Sequence, residues 1–210
     1  MSERMTADEY WSQGTRRLDE YHRAVTNIVD GFPEPRRARV RAMLDGPMGE
    51  QFMTAPASTR RAHHNAYPCG LVAHSLTVVT NVLKIAQALA PGRWALPTLT
   101  FCGLFHDFGK AGSPGLEYYR EVNEEWKRKR GEFYEVNPNC PHMDVSQRTL
   151  FTLQQQGITL DHDEYLALML ADGQYVDRNK DYRLKEPHLA VIVHMGDLWT
   201  TLQEKQAEID

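Results

Sequence analysis

The side chains best suited to chemistry in this 210-residue sequence are histidines and aspartates set inside apolar stretches. His74 stands in "GLVAHSLTVV", the pair His106 and Asp107 in "TLTFCGLFHDFG", and Asp197 in "LAVIVHMGDLW". Burying an ionisable group is costly unless it is paired or bound to a cation. A single histidine on an apolar face is ordinarily a hydrogen-bonded core residue. The ordered set His, His-Asp, Asp on separate apolar segments is much harder to obtain by chance. Imidazole and carboxylate together suit a divalent transition metal (manganese, nickel, cobalt, iron or zinc) better than magnesium alone. Such an ion lowers the pKa of a bound water and makes hydroxide available near neutral pH.

Other residues extend this pattern. Lys110 follows the His-Asp pair by about one turn. There it can neutralise a phosphate oxygen in a transition state or satisfy the negative end of a helix. His63 and His64 lie in a loop with Pro68 and Gly70, ahead of His74. His64 is the better placed of the two to contact phosphate, to donate a proton to a leaving oxygen or to bind a second metal. Hydrogen bonding within the loop is the plain alternative for both. Arg60 and Arg61 are weaker phosphate candidates. His162, His188 and His194 read as structural or exposed, and His22 has no evident partner.

Helices must position these groups. Leu71, His74, Val78, Val82, Ile85 and Leu89 recur three or four apart, which predicts a helix with His74 on its buried stripe. Pro97 opens the next helix, expected to run to Gly109 with Cys102 and His106 on one face. Pro187 opens the last, which carries Asp197. Upstream, Thr6 is the expected cap of a first helix ending at Gly31, and a second helix is expected from Pro33 to Leu44. "DGPMGEQFMTAPAST" has room for one short helix. "EYYREVN" and "EFYEVN", separated by "EEWKRKRG", predict a β-ribbon around 117–137. Its basic run is read as a solvated turn rather than a nucleic-acid patch. Asp144 to Gln156 looks helical, and Asp161 with Glu164 forms a capping-box start for a helix ending near Gly173. "GQYVDRNKDYRLKE" is a polar loop.

The fold class is therefore all-α with a small insertion, in one domain over 1–210, since no linker or composition shift divides the chain. Hydrophobic residues make up 41%, enough for an ordinary globular core. A net charge of −4 argues against strong whole-chain attraction to nucleic acid or an anionic membrane. No apolar run approaches the roughly 20 residues of a membrane span, and the polar N-terminus has no signal-peptide pattern. Three cysteines without CxxC spacing favour a reducing compartment, and the expected location is cytoplasmic.

The stretches "GLVAHSLTV", "LFHDFGK" and "HMGDLW" resemble the three motifs of the HD-domain metal-dependent phosphohydrolase superfamily. "APASTRRAHHNAYPCGLVAHSLTV" further resembles a branch with a PAS…HH…GGL..HSL pattern. That branch includes the HD domain of a bacterial 3′→5′ exoribonuclease and of conjugative relaxases. The resemblance covers roughly residues 50 to 205 and leaves a helical N-terminal extension over 1–45 without a family signature. It implies a helical HD bundle and hydrolysis of a phosphoester in a nucleotide or oligonucleotide substrate. Carried over by position, it implies His74, His106, Asp107 and Asp197 as metal ligands. Two-metal members use the residue matching Asp107 as a bridge and add two histidines, for one of which His142 is the candidate. Where relatives have the other, in a His-x-Gly, this chain has Ala171 followed by Asp172. One or two ions are therefore both open, with Asp172 a possible substitute. Cys69 stands where relatives have Gly. The resemblance favours the phosphate role for Lys110, with His64 and Asp107 sharing the chemistry. Tyr118, Tyr119 and Tyr134 are candidates to stack on a base. The competing functions are an HD-fold di-iron oxygenase and a nucleotide- or protein-binding module without turnover.

Overall fold

A computed structural model of the chain describes residues 7–209. Helix accounts for 62% of residues and strand for 5%, the all-α class with a small β insertion that the sequence predicts. In chain order the helices are α1 (Ala7–Ser12), α2 (Leu18–Asp30), α3 (Arg36–Leu44), α4 (Pro47–Thr54), α5 (Gly70–Leu89), α6 (Leu96–Phe105), α7 (Glu125–Lys129), α8 (Val145–Gln155), α9 (His162–Met169) and α10 (His188–Ile209). Strands β1 (Tyr119–Glu121) and β2 (Tyr134–Val136) pair antiparallel, with Tyr119 opposite Val136.

Helix α5 is the central element and packs against α2, α4, α6 and α10. Leu71, Val72, Val78 and Val82 are fully enclosed on it, and so are His74 and Ser75. By length and composition it is also, among the described residues, the one helix long and apolar enough to cross a membrane. The sequence reading expected no such run. Half of it lies inside the protein, so its apolar character is explained by burial against neighbouring helices. Two glycines set how closely those neighbours approach. Gly103 of α6 faces Val79, and Gly196 of α10 faces Val82, at positions where a Cβ would press on α5. The polar residues just beyond them, His106 and Asp197, are thereby drawn towards His74.

The N-terminal segment differs from expectation. The proposed cap Thr6 lies outside the described residues. The first helix is broken into α1, a 3-10 turn over Thr15–Arg17, and α2. The break falls at Gly14, which lies so close to the Pro68 carbonyl and the Tyr67 ring that any side chain would collide. Tyr10 and Trp11 of α1 then join a small aromatic cluster with Tyr67, Phe133 and Tyr134 under the β-ribbon. Helices α2 and α3 instead contribute Tyr21, Val25, Val29 and Val40 to the same core as Leu71 and Phe101. They are part of the main body and not an appendage.

Several local expectations agree with the structure. The Asp161 carboxylate accepts from the Glu164 amide at 2.8 Å, and Glu164 accepts from the Asp161 amide at 3.1 Å. The basic run, expected as a turn, is instead the short helix α7 between the two strands. Lys127 pairs with Glu124 and Lys129 with Glu125, each at 2.7 Å. Arg128 lies over the Trp11 ring at 4.7 Å. Two of its four basic residues are thus paired with carboxylates of the same segment.

Candidate metal centre

Helix α6 stops at Phe105, short of the Gly109 end that its pattern predicts. His106 keeps helical dihedrals, but Asp107 turns to φ −110° and a 3-10 turn, Phe108–Ala111, follows. The Gly109 amide donates to the Thr149 hydroxyl on α8 at 2.8 Å instead of continuing the helix. His106 and Asp107 therefore come off the helix end into the space below α5, with Lys110 on the next turn.

The imidazole of His106 donates from Nδ1 to the Gly103 carbonyl at 2.9 Å. Its Nε2 is buried and has no hydrogen-bond partner. It lies 3.5 Å from Asp107 Oδ2 and 3.6 Å from Asp197 Oδ1, where the carboxylates act as charges rather than acceptors. His74 Nε2 is 3.0 Å from Asp197 Oδ1 and 4.0 Å from Asp107 Oδ2. His74, His106 and Asp107 present ligand atoms within 4.8 Å of one another, all from buried residues. These groups can hold a metal ion. An orphaned imidazole nitrogen aimed at two carboxylates and a second imidazole is the arrangement a cation satisfies.

The charges around this point support each other. Burial alone would push His74 down, but the Glu204 and Asp197 carboxylates outweigh it and raise its pKa to about 9. His106 is likewise raised against its burial, to about 10, by Asp107 and Asp197. Burial would raise Asp107, yet Lys110 and His106 hold it well below the usual carboxylate range. Lys110 Nζ donates to Asp107 Oδ2 at 2.5 Å, and that pairing keeps the partly buried ammonium charged.

Glu204 is the residue that sequence reasoning missed. Its Oε2 accepts from His74 Nδ1 at 2.8 Å, while its Oε1 accepts from the Asn65 side-chain amide at 2.8 Å. The available signal was spacing, since Glu204 lies seven residues, two turns, after Asp197 on α10. A carboxylate on Nδ1 fixes the ring orientation and leaves Nε2, which here lies 3.0 Å from Asp197 Oδ1, as the nitrogen that could ligate an ion; losing such a partner typically weakens metal binding about 10–100-fold. Glu204→Ala is therefore expected to weaken manganese binding by about that factor. Glu204→Gln, which still offers an acceptor, keeps most of the affinity. Calorimetric titration of both variants checks this, and wild-type affinity in Glu204→Ala removes Glu204 from the site.

No protein-family model, curated protein or solved structure matches this chain.

What the site can do is therefore read from its own geometry. The His64 ring lies 4.8 Å from the His74 ring, with both of its nitrogens buried and unpartnered. Burial, with His74 and Lys110 close by, depresses its pKa to about 2, so it is neutral. Ser58 pins the loop by donating to the His64 carbonyl at 2.6 Å, while the His63 side chain is exposed. Burial, then the charge of Asp107, raise the Asp172 carboxyl, while Lys110 lowers it; like His142, Asp172 belongs to none of the ligand-atom groups among the described residues. Its neighbour Ala171 is tied to α10 through its carbonyl, which accepts from His194 Nδ1 at 2.8 Å. Cys69 adopts φ +68°, the left-handed region that glycine enters most easily. Burial pushes its thiol up to about 11, so it stays protonated.

His142 is not brought into the cluster. Its side chain is exposed ahead of α8, and it belongs to none of the ligand-atom groups among the described residues. Arg148 holds that segment by donating to the carbonyls of Pro141 and Met143 at 2.7 and 3.4 Å. Arg60 faces Glu132, and Arg61 lies over the Tyr10 ring, so both are engaged elsewhere.

Proposed function

We propose that the chain is a metal-dependent phosphohydrolase, of the HD-domain kind its motifs resemble, cleaving a phosphoester in a nucleotide or at a nucleic-acid end. The observation that carries this reading is the unpartnered, buried Nε2 of His106, which faces Asp107, Asp197 and His74. A divalent manganese, nickel, cobalt, iron or zinc ion held by His74, His106, Asp107 and Asp197 would supply an activated water for attack on phosphorus. Lys110, kept cationic beside Asp107, neutralises charge as it builds on a phosphate oxygen. His64 is neutral and has no protein partner for its ring N–H, which can hydrogen-bond a phosphate oxygen; with its pKa at about 2 it holds no transferable proton, so the proton-donor role expected from sequence does not fit it. Three free, buried cysteines favour a reducing, cytoplasmic setting.

The test is a substrate panel. The purified chain is stripped with chelator, reloaded with manganese or nickel, and offered nucleoside phosphates, cyclic nucleotides and short oligonucleotides. Product is expected only in the reloaded protein. Metal and nucleotide binding with no product across the panel makes it a binding module instead. Two irons per chain with oxygen consumption makes it an oxygenase.

A further inference from the structure

A cavity of about 200 Å³ lies between α4 and the β-ribbon. It touches the metal-facing cluster through one residue. Lys110 lines the cavity, and its ammonium lies 2.5 Å from Asp107 Oδ2. Lys110 is thus shared by the cluster and the cavity, so a phosphoryl group held by Lys110 next to Asp107 has the cavity beside it. A larger groove of about 650 Å³ passes Phe151 and Tyr165 on α8 and α9, but none of the metal-facing residues lines it.

Tyr118, Tyr119 and Tyr134 line this cavity. The rings of Tyr118 and Tyr119 have centroids 4.7 Å apart. Trp11 stacks on one face of Tyr134 at 5.4 Å and the Arg148 guanidinium lies over Tyr118 at 5.2 Å, so the remaining ring surface is what can meet a planar aromatic group. The volume falls below the roughly 300–1,000 Å³ usual for drug-sized ligands, so the occupant is small. Charge narrows it further. The charged residues of the lining are Lys110, Glu117 and Glu121, one cation against two carboxylates. A channel for a polyanionic strand, or a pocket for a triphosphate tail, needs the reverse balance. The Glu117 and Glu121 side chains are exposed at this site and can accept hydrogen bonds from exocyclic amino groups.

We propose that this cavity takes the nucleoside part of the substrate, and that the substrate is a single nucleotide with one phosphoryl group and an amino-bearing base. This inference rests on the phosphohydrolase reading for its reaction but not for its binding. The experiment measures binding and turnover separately on the manganese-loaded full chain. The probes are adenosine monophosphate, inorganic phosphate, adenosine triphosphate and a dinucleotide. The monophosphate is expected to bind at least about tenfold more tightly than each of the others. Tyr118→Ala should weaken the monophosphate about tenfold or more and leave inorganic phosphate unchanged. The double variant Glu117→Lys/Glu121→Lys alters only exposed side chains, so folding is preserved. It should shift preference towards the triphosphate and the dinucleotide. Equal binding of monophosphate and inorganic phosphate, or wild-type nucleotide affinity in both variants, overturns the pocket. Selective binding without turnover upholds the pocket and sinks the hydrolase reading. Oligonucleotide hydrolysis indifferent to both variants does the opposite.

Discussion

If the chain is the metal-dependent phosphohydrolase proposed above, Asp107→Asn and His106→Gln are each expected to leave a folded protein that binds manganese far more weakly and hydrolyses its substrate slower by a factor on the order of 10³ or more. The size follows from what a bound cation contributes, several kcal/mol of charge stabilisation at the reacting phosphoryl group, where each 1.36 kcal/mol is tenfold in rate. Asparagine keeps the shape of Asp107 but removes the charge that Lys110 and His106 share. Glutamine at 106 removes the Nε2 that the Gly103 carbonyl holds in place. Circular dichroism should be unchanged for both variants, with metal binding read by calorimetry and turnover on whichever substrate the panel yields. Full activity in both folded variants ends the catalytic account.

Arg36→Met is expected to cost about 3–5 kcal/mol of stability, the usual penalty for stranding one member of a buried ion pair. The guanidinium meets both Glu164 carboxylate oxygens at 2.6 Å and also donates to the Thr159 carbonyl at 3.0 Å. The Glu164 side chain is only 2% exposed, so without Arg36 its charge has neither water nor a cation. The pair joins α3 to α9 across 128 residues of chain. Replacing both partners, as Arg36→Met/Glu164→Gln, should recover most of the loss, because the uncompensated charge is gone. Urea denaturation of the two single variants and the double variant measures this. A double variant no more stable than Arg36→Met alone contradicts the mechanism.

Much of the site was legible because its members sit where charge has no reason to be. His74 on an apolar stripe, His106 and Asp107 after an apolar helix, and Asp197 within another are each a local anomaly, readable at a spacing of three or four residues. The structure brings all four together. The ribbon and the capping box were legible for the same reason, since pairing and capping act between near neighbours. The break at Gly14 was not, because its cause is Pro68, far along the chain. His142 looked available by position alone, and the exposed segment that Arg148 holds could be seen only in three dimensions.

Local periodicity by itself determined the helical class and the buried face of each central helix, and apolar context singled out His74, His106, Asp107 and Asp197 as candidate ligands. The tertiary structure alone decided that Glu204 and Asn65 orient His74, that the His64 ring is enclosed beside it, and that Lys110 joins the cluster to a tyrosine-lined cavity. The physical reason is distance along the chain. His74 and Glu204 are 130 residues apart, and what brings them within a hydrogen bond is the close approach of α10 to α5. That approach depends on Gly196 offering no side chain to Val82, a contact that no local pattern in either helix encodes.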